Sequence, residues 1–183
     1  MLNIVILAAG KGTRMHSDKP KVLHALAGLP LLQHVMASAH ALVPEQTCVV
    51  YGHGGEAVPE AMAHFHASFV IQEPQLGTGH AVQQALPGLK DDSTTLILYG
   101  DVPLIQVETL RKMLLQRDTL SLLTLNMVNP VGYGRIIRDP VGNVSSIVEE
   151  KDASAEQRKI TEVNTGILSA PTHLLLTLGV VIT

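Results

Sequence analysis

Short apolar runs alternate with amphipathic segments along the first two thirds of the chain. The apolar runs have the length and residue types of β-strands and lie at residues 2–7, 47–51, 68–71, 95–98 and 120–127. The segments between them predict helices over residues 31–42, 55–65, 78–86 and 107–117. Because parallel strands need crossover connections, this alternation predicts an α/β fold with a Rossmann-like, mostly parallel sheet and flanking helices.

The pattern changes after Asn129-Pro130. Residues 134–138 and 144–149 read as two strands on either side of the turn sequence Asp139-Pro140-Val141-Gly142. They predict a β-hairpin appended to the sheet, and residues 162–168 predict one further strand. With 183 residues and 46% hydrophobic content, the chain can bury one sizeable core, so we expect a single domain.

A glycine turn with two cations directly follows the first predicted strand, in the order Leu7-Ala8-Ala9-Gly10-Lys11-Gly12-Thr13-Arg14-Met15. Glycine has no Cβ, so backbone N–H groups at Gly10 and Gly12 can approach an anion closely. Although the net charge is −3, four of the 13 lysine and arginine residues fall within residues 11–21. They are Lys11, Arg14, Lys19 and Lys21. This local positive charge predicts phosphate binding, whereas nucleic-acid binding needs a broad basic face. The alternative is that the glycines only form a tight turn.

Two well-known glycine motifs are excluded by the residues in this turn. The P-loop needs Gly-x-x-x-x-Gly-Lys-Ser/Thr, and no stretch of the chain supplies it. The dinucleotide fingerprint needs a third glycine where Met15 stands, and no acidic residue between Asp18 and Glu45 is available to bind a ribose. Hydride transfer with a nicotinamide cofactor is therefore disfavoured.

Cysteine usage and hydropathy indicate the compartment. The single cysteine, Cys48, cannot form an intrachain disulfide, which favours a reducing cytoplasm. No signal-type segment opens the chain, and no apolar run reaches the roughly 18 residues needed to span a bilayer. We therefore expect a cytoplasmic protein without membrane insertion.

A carboxylate follows the fourth predicted strand in the segment Leu96-Ile97-Leu98-Tyr99-Gly100-Asp101-Val102-Pro103. The ends of parallel strands share one sheet edge, so Asp101 is expected near any phosphate bound at the glycine turn. Mg²⁺ usually takes one or two carboxylates and completes its shell with water and phosphate oxygens, so Asp101 is a candidate magnesium ligand. The alternative is a loop or helix-capping residue. His16 and His80 could approach the same pocket, although a lone histidine is more often a structural hydrogen-bonding group.

Several further segments complete a family pattern around these two sites. They are Pro20-Lys21-Val22-Leu23, Tyr51-Gly52-His53-Gly54, Gln75-Leu76-Gly77-Thr78-Gly79-His80-Ala81, Gly132-Tyr133-Gly134-Arg135-Ile136, Glu149 with Lys151-Asp152, and Val163-Asn164-Thr165-Gly166. With them, residues 2–170 resemble the sugar-phosphate nucleotidyltransferases. Within these, the chain is most similar to the uridyltransferase half of bacterial bifunctional N-acetylglucosamine-1-phosphate uridyltransferases. Chance recurrence of all these segments in order is implausible.

The resemblance assigns roles to residues that spacing alone would leave as turn or surface positions. For the nucleotide it implies Leu7, Ala8, Ala9 and Gly10, with Gln72, Gly77 and Thr78 at the uracil. For the ribose and the metal it implies Tyr99, Gly100 and Asp101, and for the amino sugar Gly134, Glu149 and Asn164. An amide such as Gln72 suits the uracil imide edge because it offers both a donor and an acceptor.

The implied reaction uses UTP and N-acetylglucosamine 1-phosphate and gives UDP-N-acetylglucosamine and pyrophosphate, in the pathway that supplies the cell envelope. Arg14 suits the leaving pyrophosphate because its planar guanidinium binds phosphate oxygens bidentately. Lys21 suits the α-phosphate or the sugar phosphate as a compact charge. Mg²⁺ on Asp101 would bridge phosphates.

The chain also departs from this family. The family's uridyltransferase region continues beyond residue 183 with a second metal ligand, an asparagine, and is followed by a left-handed β-helix acetyltransferase domain. We therefore expect a C-terminally incomplete nucleotidyltransferase domain over residues 1–170, with a divergent apolar tail over 171–183. Two other functions stay open: a UTP-binding remnant without catalysis, and a related enzyme such as a molybdenum-cofactor guanylyltransferase, against which Gln72 argues. The oligomeric state also stays open.

Overall fold

The computed structural model of the chain describes residues 1–10, 17, 19–52 and 57–177. These residues belong to two compact units. The first spans Met1–Ser121 and the segment from Leu168 onward, and the second spans residues 122–167. Lys11, Gly12 and Arg14 of the predicted phosphate turn lie outside the described residues. The single nucleotidyltransferase domain over residues 1–170 stays a prediction.

The alternation of strands and helices is as the sequence predicts. The strands are β1 (Leu2–Ala8), β2 (Ala25–Leu26), β3 (Leu29–Pro30), β4 (Gln46–Tyr51), β5 (Ser68–Ile71), β6 (Thr94–Tyr99), β7 (Ser121–Asn126), β8 (Arg135–Arg138), β9 (Val144–Val148) and β10 (Glu162–Pro171). The helices are α1 (Leu31–His40), α2 (Ala57–Ala61), α3 (Thr78–Ala85), α4 (Val107–Met113) and α5 (Thr172–Thr177). Short 3-10 turns lie at Lys21–Leu23, Leu86–Gly88 and Gln157–Lys159.

Parallel strands form the centre of the first unit. β5, β4, β1 and β6 lie side by side in that order, and Leu7 of β1 pairs with Val50 of β4 and Tyr99 of β6. The last residues of β10 lie antiparallel to β6, with Leu168 opposite Ile97. β1 is buried along almost its whole length, which explains the apolar run from Ile4 to Ala8. The predicted fold class, a mostly parallel sheet with flanking helices, is confirmed.

The order of the strands reverses beside β1. After β1 the chain adds β4 and β5 on one side, and then it places β6 on the other side. Open α/β sheets bind ligands in the crevice outside the carboxyl ends of the strands at such a reversal. The topology therefore singles out the ends of β1 and β6, which are followed by Ala9 and Gly10 on one strand and by Asp101 on the other.

The second unit contains the predicted β-hairpin. β8 and β9 are antiparallel, and Arg135 lies opposite Val148. Asp139 closes the turn, because its Oδ1 accepts hydrogen bonds from the backbone N–H groups of Val141 and Asn143 at 3.0 and 2.8 Å. Within this unit β10 pairs with both β7 and β8.

All four predicted helices are shorter than predicted, α3 by a single residue, since it ends at Ala85 and not at residue 86. α1 ends at His40 instead of residue 42, and α4 ends at Met113 instead of residue 117. The apolar spacing continues past each end, so it does not mark where hydrogen bonding stops. α2 covers Ala57–Ala61 where residues 55–65 were predicted, and residues 55 and 56 lie outside the described part. Pro59 then falls in the first turn of α2, where its missing N–H costs no helical hydrogen bond.

Two findings bear on the chemistry expected of the core and the tail. Cys48 is buried, and this burial raises the pKa of its thiol, as expected for an inert core cysteine. α5 occupies the start of the predicted apolar tail, and its Leu175 is buried. In the part of the chain that the structure describes, no helix has the length and apolar character that crossing a membrane requires.

Candidate functional site

A cavity of about 540 Å³ lies in the first unit at the edge where β1 and β6 end. Small-molecule sites have volumes of about 300 to 1,000 Å³, so this cavity is large enough for a ligand of that kind. Its lining residues come from the ends of β1 and β6, the turn after Pro20, the loop after β5 and the start of α3. They are Leu7, Ala8, Ala9, Gly10, Lys21, Val22, Gln72, Gln75, Gly77, Thr78, Ala81, Tyr99 and Asp101.

The cavity brings together most of the residues that the sequence assigned to a nucleotide and a metal. Gly100 is the exception among the described residues of the first unit: it is buried and does not line the cavity. Its backbone N–H instead donates to Leu7 O at 2.9 Å and continues the pairing of β1 with β6. The predicted catalytic residue Arg14 lies outside the described residues, so Lys21 is the one cation among the described lining residues.

Lys21 and Asp101 form an ion pair at this cavity. Lys21 Nζ lies 2.7 Å from Asp101 Oδ2, and the two side chains are 41% and 31% exposed. A 3-10 turn that starts after Pro20 positions Lys21, and the end of β6 positions Asp101. Partly exposed ion pairs contribute only about 0–1 kcal/mol, because water screens the charges. The ion pair can therefore open, so that each side chain binds a more highly charged ligand instead.

The donor chemistry at Asp101 fits magnesium. Its carboxylate supplies hard oxygen atoms, and Oδ2 already accepts a cationic ammonium group. Within the described ranges, no group of three or more His, Cys, Asp or Glu side chains gathers to hold a metal. Asp101 would thus hold the ion together with phosphate and water oxygens, which is how Mg²⁺ is commonly bound.

The other end of the cavity carries the buried amide of Gln72, which is only 4% exposed. The backbone N–H of Gln72 donates to Tyr51 O at 2.7 Å, so the residue is fixed at the ends of β4 and β5. Its side-chain Nε2 donates to Gly77 O at 2.8 Å and lies 3.1 Å from His80 Nδ1. His80 thus takes part in hydrogen bonding at this site. Gly77 has φ of +99°, a conformation that residues other than glycine rarely adopt.

Gln75 is a cavity residue to which the sequence analysis gave no role. Its Nε2 donates to Ala9 O at 2.5 Å and ties the loop after β5 to the end of β1. Its Oε1 is buried and accepts no hydrogen bond from the described residues. One feature of the sequence could have indicated this role: Gln75 stands between Gln72 and Gly77, in a loop predicted to lie at the same sheet edge.

The three residues assigned to the amino sugar all lie in the second unit. The backbone N–H of Asn164 donates to Gly134 O at 2.8 Å, and Asn164 Oδ1 accepts from the N–H of Gly166 at 2.8 Å. A Cβ added to Gly134 would lie 2.9 Å from Glu149 Oε1 and 3.0 Å from Ile147 Cγ2. Gly134, Glu149 and Asn164 are thus neighbours, and position 134 leaves room for the Glu149 carboxylate only because it lacks a side chain.

A buried arginine supports this part of the second unit. Arg135 is 1% exposed, and its guanidinium donates to Tyr133 O and to Glu150 Oε2, the latter at 2.7 Å. The hydrogen bond from Arg135 holds the pKa of Glu150 below its usual range. Sequence reasoning missed this pair, because a charged residue within a strand gives no sign that its partner is fifteen residues away.

The comparisons with known proteins agree with this architecture. Residues 4–145 match the sequence model of the family described as MobA-like NTP transferase domain. The chain is 62% identical over 176 residues to the bifunctional protein GlmU of Thiobacillus denitrificans, and this match covers 95% of the chain and 38% of the relative. It is 58% identical over 177 residues to the bifunctional protein GlmU of Nitrosospira multiformis, again covering 95% of the chain and 38% of the relative. The chain therefore spans about two fifths of the length of these relatives.

Solved structures share the fold at low sequence identity. A UDP-glucose pyrophosphorylase complexed with UDP-glucose superimposes with a TM-score of 0.75 at 16% identity, covering 97% of this chain and 79% of that chain. HddC from Yersinia pseudotuberculosis, complexed with GMP-PN, gives a TM-score of 0.71 at 21% identity, covering 96% and 79%. At these identities the likeness bears on the fold alone.

Proposed function

We propose, from the premise that the chain belongs to the MobA-like NTP transferase domain family, that it transfers UMP from UTP to N-acetylglucosamine 1-phosphate. The products are UDP-N-acetylglucosamine and pyrophosphate. The observation that carries this proposal is one cavity lined by a buried amide, Gln72, and by a cation and a carboxylate, Lys21 and Asp101. The identity of 62% to the GlmU protein of Thiobacillus denitrificans supports the choice of uridine nucleotide and amino sugar.

The reaction needs no covalent protein nucleophile. A phosphate oxygen of the sugar phosphate forms a bond to the α-phosphorus of UTP, and the bond between that phosphorus and the bridging oxygen to the β-phosphorus breaks. The electron pair leaves with pyrophosphate. The protein contributes alignment of the two reactants and neutralisation of charge on the phosphate oxygens.

Charge neutralisation falls to Lys21, to Arg14 and to the Mg²⁺ that Asp101 would hold. Lys21 carries a compact ammonium charge into the cavity, where it would face the α-phosphate or the sugar phosphate. Asp101 would hold Mg²⁺, which supplies Lewis-acid polarisation of phosphate oxygens when it is bound. Arg14 is assigned to the leaving pyrophosphate from the sequence alone.

The remaining cavity residues would position the nucleotide. Leu7, Ala8, Ala9 and Gly10 form the wall at the end of β1, where small residues leave space for a ligand. Gln72 with Gly77 and Thr78 would contact uracil, and Tyr99 would lie beside the ribose. In the second unit, Gly134, Glu149 and Asn164 would contact the acceptor sugar.

Measuring pyrophosphate release separates this function from the two alternatives. The full chain is incubated with Mg²⁺ and N-acetylglucosamine 1-phosphate, and with either UTP or GTP. The proposal predicts release with UTP and little with GTP. UTP binding without release would identify a nucleotide-binding remnant, and release with GTP alone would contradict the assignment of Gln72 to uracil.

Gly134→Ala is expected to raise the KM for N-acetylglucosamine 1-phosphate about tenfold while the KM for UTP changes less than twofold. The added Cβ would lie 2.9 Å from Glu149 Oε1 and 3.0 Å from Ile147 Cγ2, so the carboxylate must move and the Ile147 methyl group must shift by a few tenths of an ångström. Steady-state kinetics with each substrate varied in turn provides the measurement. Gly88→Ala is the matched control, because a Cβ at Gly88 meets no atom within 4 Å. An unchanged KM for the sugar phosphate would remove Glu149 from the acceptor site.

A further inference from the structure

We infer that His80 is a positioning residue that sets the base selectivity of the cavity. It does so by engaging Gln72 so that only the carbonyl oxygen of that amide is left for a base. The inference rests on the proposed function, because it assumes that a nucleobase lies against Gln72. Gln72, Gly77 and His80 all belong to the first unit, as does their neighbour Gln84.

The orientation of the Gln72 amide follows from its contact with Gly77. A backbone carbonyl oxygen can only accept, so the Gln72 atom 2.8 Å from Gly77 O must be the amide nitrogen. The same nitrogen lies 3.1 Å from His80 Nδ1. An amide nitrogen has two N–H groups, and these two contacts use both of them. The amide therefore has no donor left for a ligand, and Oε1 is the atom that it can offer. The expectation that Gln72 offers uracil both a donor and an acceptor is thus corrected to an acceptor alone.

This arrangement fixes the tautomer of His80. Nδ1 has to accept the second N–H of Gln72, so Nδ1 carries no proton and the neutral ring carries its proton on Nε2. A ring protonated on Nδ1 would place an N–H group against the Gln72 N–H group. The neutral Nε2–H tautomer is thus the form that is compatible with the bond between Gln72 and Gly77.

Gln84, one helical turn further along α3, meets the other ring nitrogen of His80. Its amide nitrogen lies 3.1 Å from His80 Nε2 and 3.3 Å from the backbone oxygen His80 O. The Nε2–H tautomer donates, so it requires the Gln84 amide to turn its carbonyl oxygen to Nε2 and to give up the contact with His80 O. The inference therefore rests on the contacts of Gln72 with Gly77 and His80.

An acceptor at Gln72 Oε1 selects among bases. Uracil carries an N–H group at position 3 and can donate to it, whereas cytosine has an unprotonated nitrogen there. Two acceptors would then face each other, and a buried acceptor without a donor is strongly disfavoured. Without the His80 acceptor, the contact with Gly77 O is the one of these two hydrogen bonds that still holds the amide nitrogen. The Gln72 amide can then turn over at the cost of that single bond and present its N–H groups to cytosine.

The test compares UTP with CTP binding to the full chain by calorimetry, without the acceptor sugar. We expect the wild-type chain to prefer UTP by about 10²-fold or more, and His80→Leu to reduce that preference about tenfold. His80→Asn should keep most of the preference, because the asparagine Oδ1 can accept where Nδ1 does. Gln83→Leu serves as the matched control, since Gln83 is the exposed neighbour of Gln84 on α3.

The outcomes separate failure of the inference from failure of the proposed function. Equal weakening of UTP and CTP in His80→Leu, or an unchanged preference, would overturn the role of His80. If the wild-type chain binds neither nucleotide, the proposed function itself fails. A loss of preference in His80→Leu that His80→Asn restores supports the inference.

Nitrogen-15 NMR of the His80 ring provides a readout that needs no variant. The expected spectrum shows Nδ1 as the unprotonated nitrogen and Nε2 as the protonated one. This pattern should persist when UTP is bound. A spectrum with the proton on Nδ1 would overturn the inference even if every His80 variant failed to fold.

Discussion

Replacing Lys21 by methionine is expected to lower the turnover number of UMP transfer by about 10²- to 10³-fold, the usual cost of removing one preorganised electrostatic contact. Methionine keeps an unbranched apolar stem but carries no charge. Lys21 is the one cation among the described residues that line the cavity, so the loss leaves the phosphate oxygens without the neutralising group nearest to Asp101. The effect should fall on kcat more than on the KM for UTP, because charge on these oxygens is redistributed in the transition state.

Steady-state kinetics of Lys21→Met tests this role, with Lys112→Met as the control for removing a lysine charge. Lys112 is exposed on α4 and does not line the cavity. The control should retain turnover within about twofold, as is usual for surface substitutions. If Lys21→Met also stays within about threefold of the unaltered chain, Lys21 has no electrostatic part in the reaction.

Asp101→Asn is expected to lower turnover by about 10²-fold or more, and to raise the Mg²⁺ concentration that gives half-maximal rate. Asparagine has nearly the same shape as aspartate, but its amide is neutral and offers one oxygen. The substitution therefore removes the hard anionic ligand with little change in packing. It also removes the partner of Lys21, which in the present arrangement accepts from the ammonium group at 2.7 Å.

Magnesium binding offers a readout for Asp101 that does not depend on turnover. Titrating Mg²⁺ into the UTP-bound chain should show tighter UTP binding for the unaltered chain and a much smaller gain for Asp101→Asn. Asp92→Asn is the matched control, because Asp92 is exposed and lines a different surface depression from the nucleotide cavity. Equal magnesium dependence in all three proteins would show that Asp101 does not hold the ion.

The sequence predicted the first unit well because its strands are buried on a parallel sheet. β1 and β6 each carry an apolar run, at residues 4–8 and 96–98, and this pattern is visible without knowledge of their partners. Once both strands are taken as parallel neighbours, Gly10 and Asp101 must follow them at the same sheet edge. Because the two residues share this edge, they line the same cavity.

Contacts between distant residues could not be predicted in the same way. Nothing in the pattern around Lys21 indicates that its partner is Asp101, or that Gln75 reaches the carbonyl oxygen of Ala9. Such pairs depend on how loops fold onto the sheet, and local periodicity carries no information on that. For Gln72, only the family resemblance suggested a role, and the hydrogen bonds to Gly77 and His80 supply its physical basis.

A crystal structure of the chain with UTP and Mg²⁺ bound would show whether this cavity holds the nucleotide. We expect the nucleotide in the cavity at the ends of β1 and β6, with uracil N3–H donating to Gln72 Oε1. The triphosphate and the ion should then lie against Lys21 and Asp101, with the contact between these two side chains broken. UTP bound elsewhere on the chain, with that ion pair intact, would show that this cavity is not the nucleotide site.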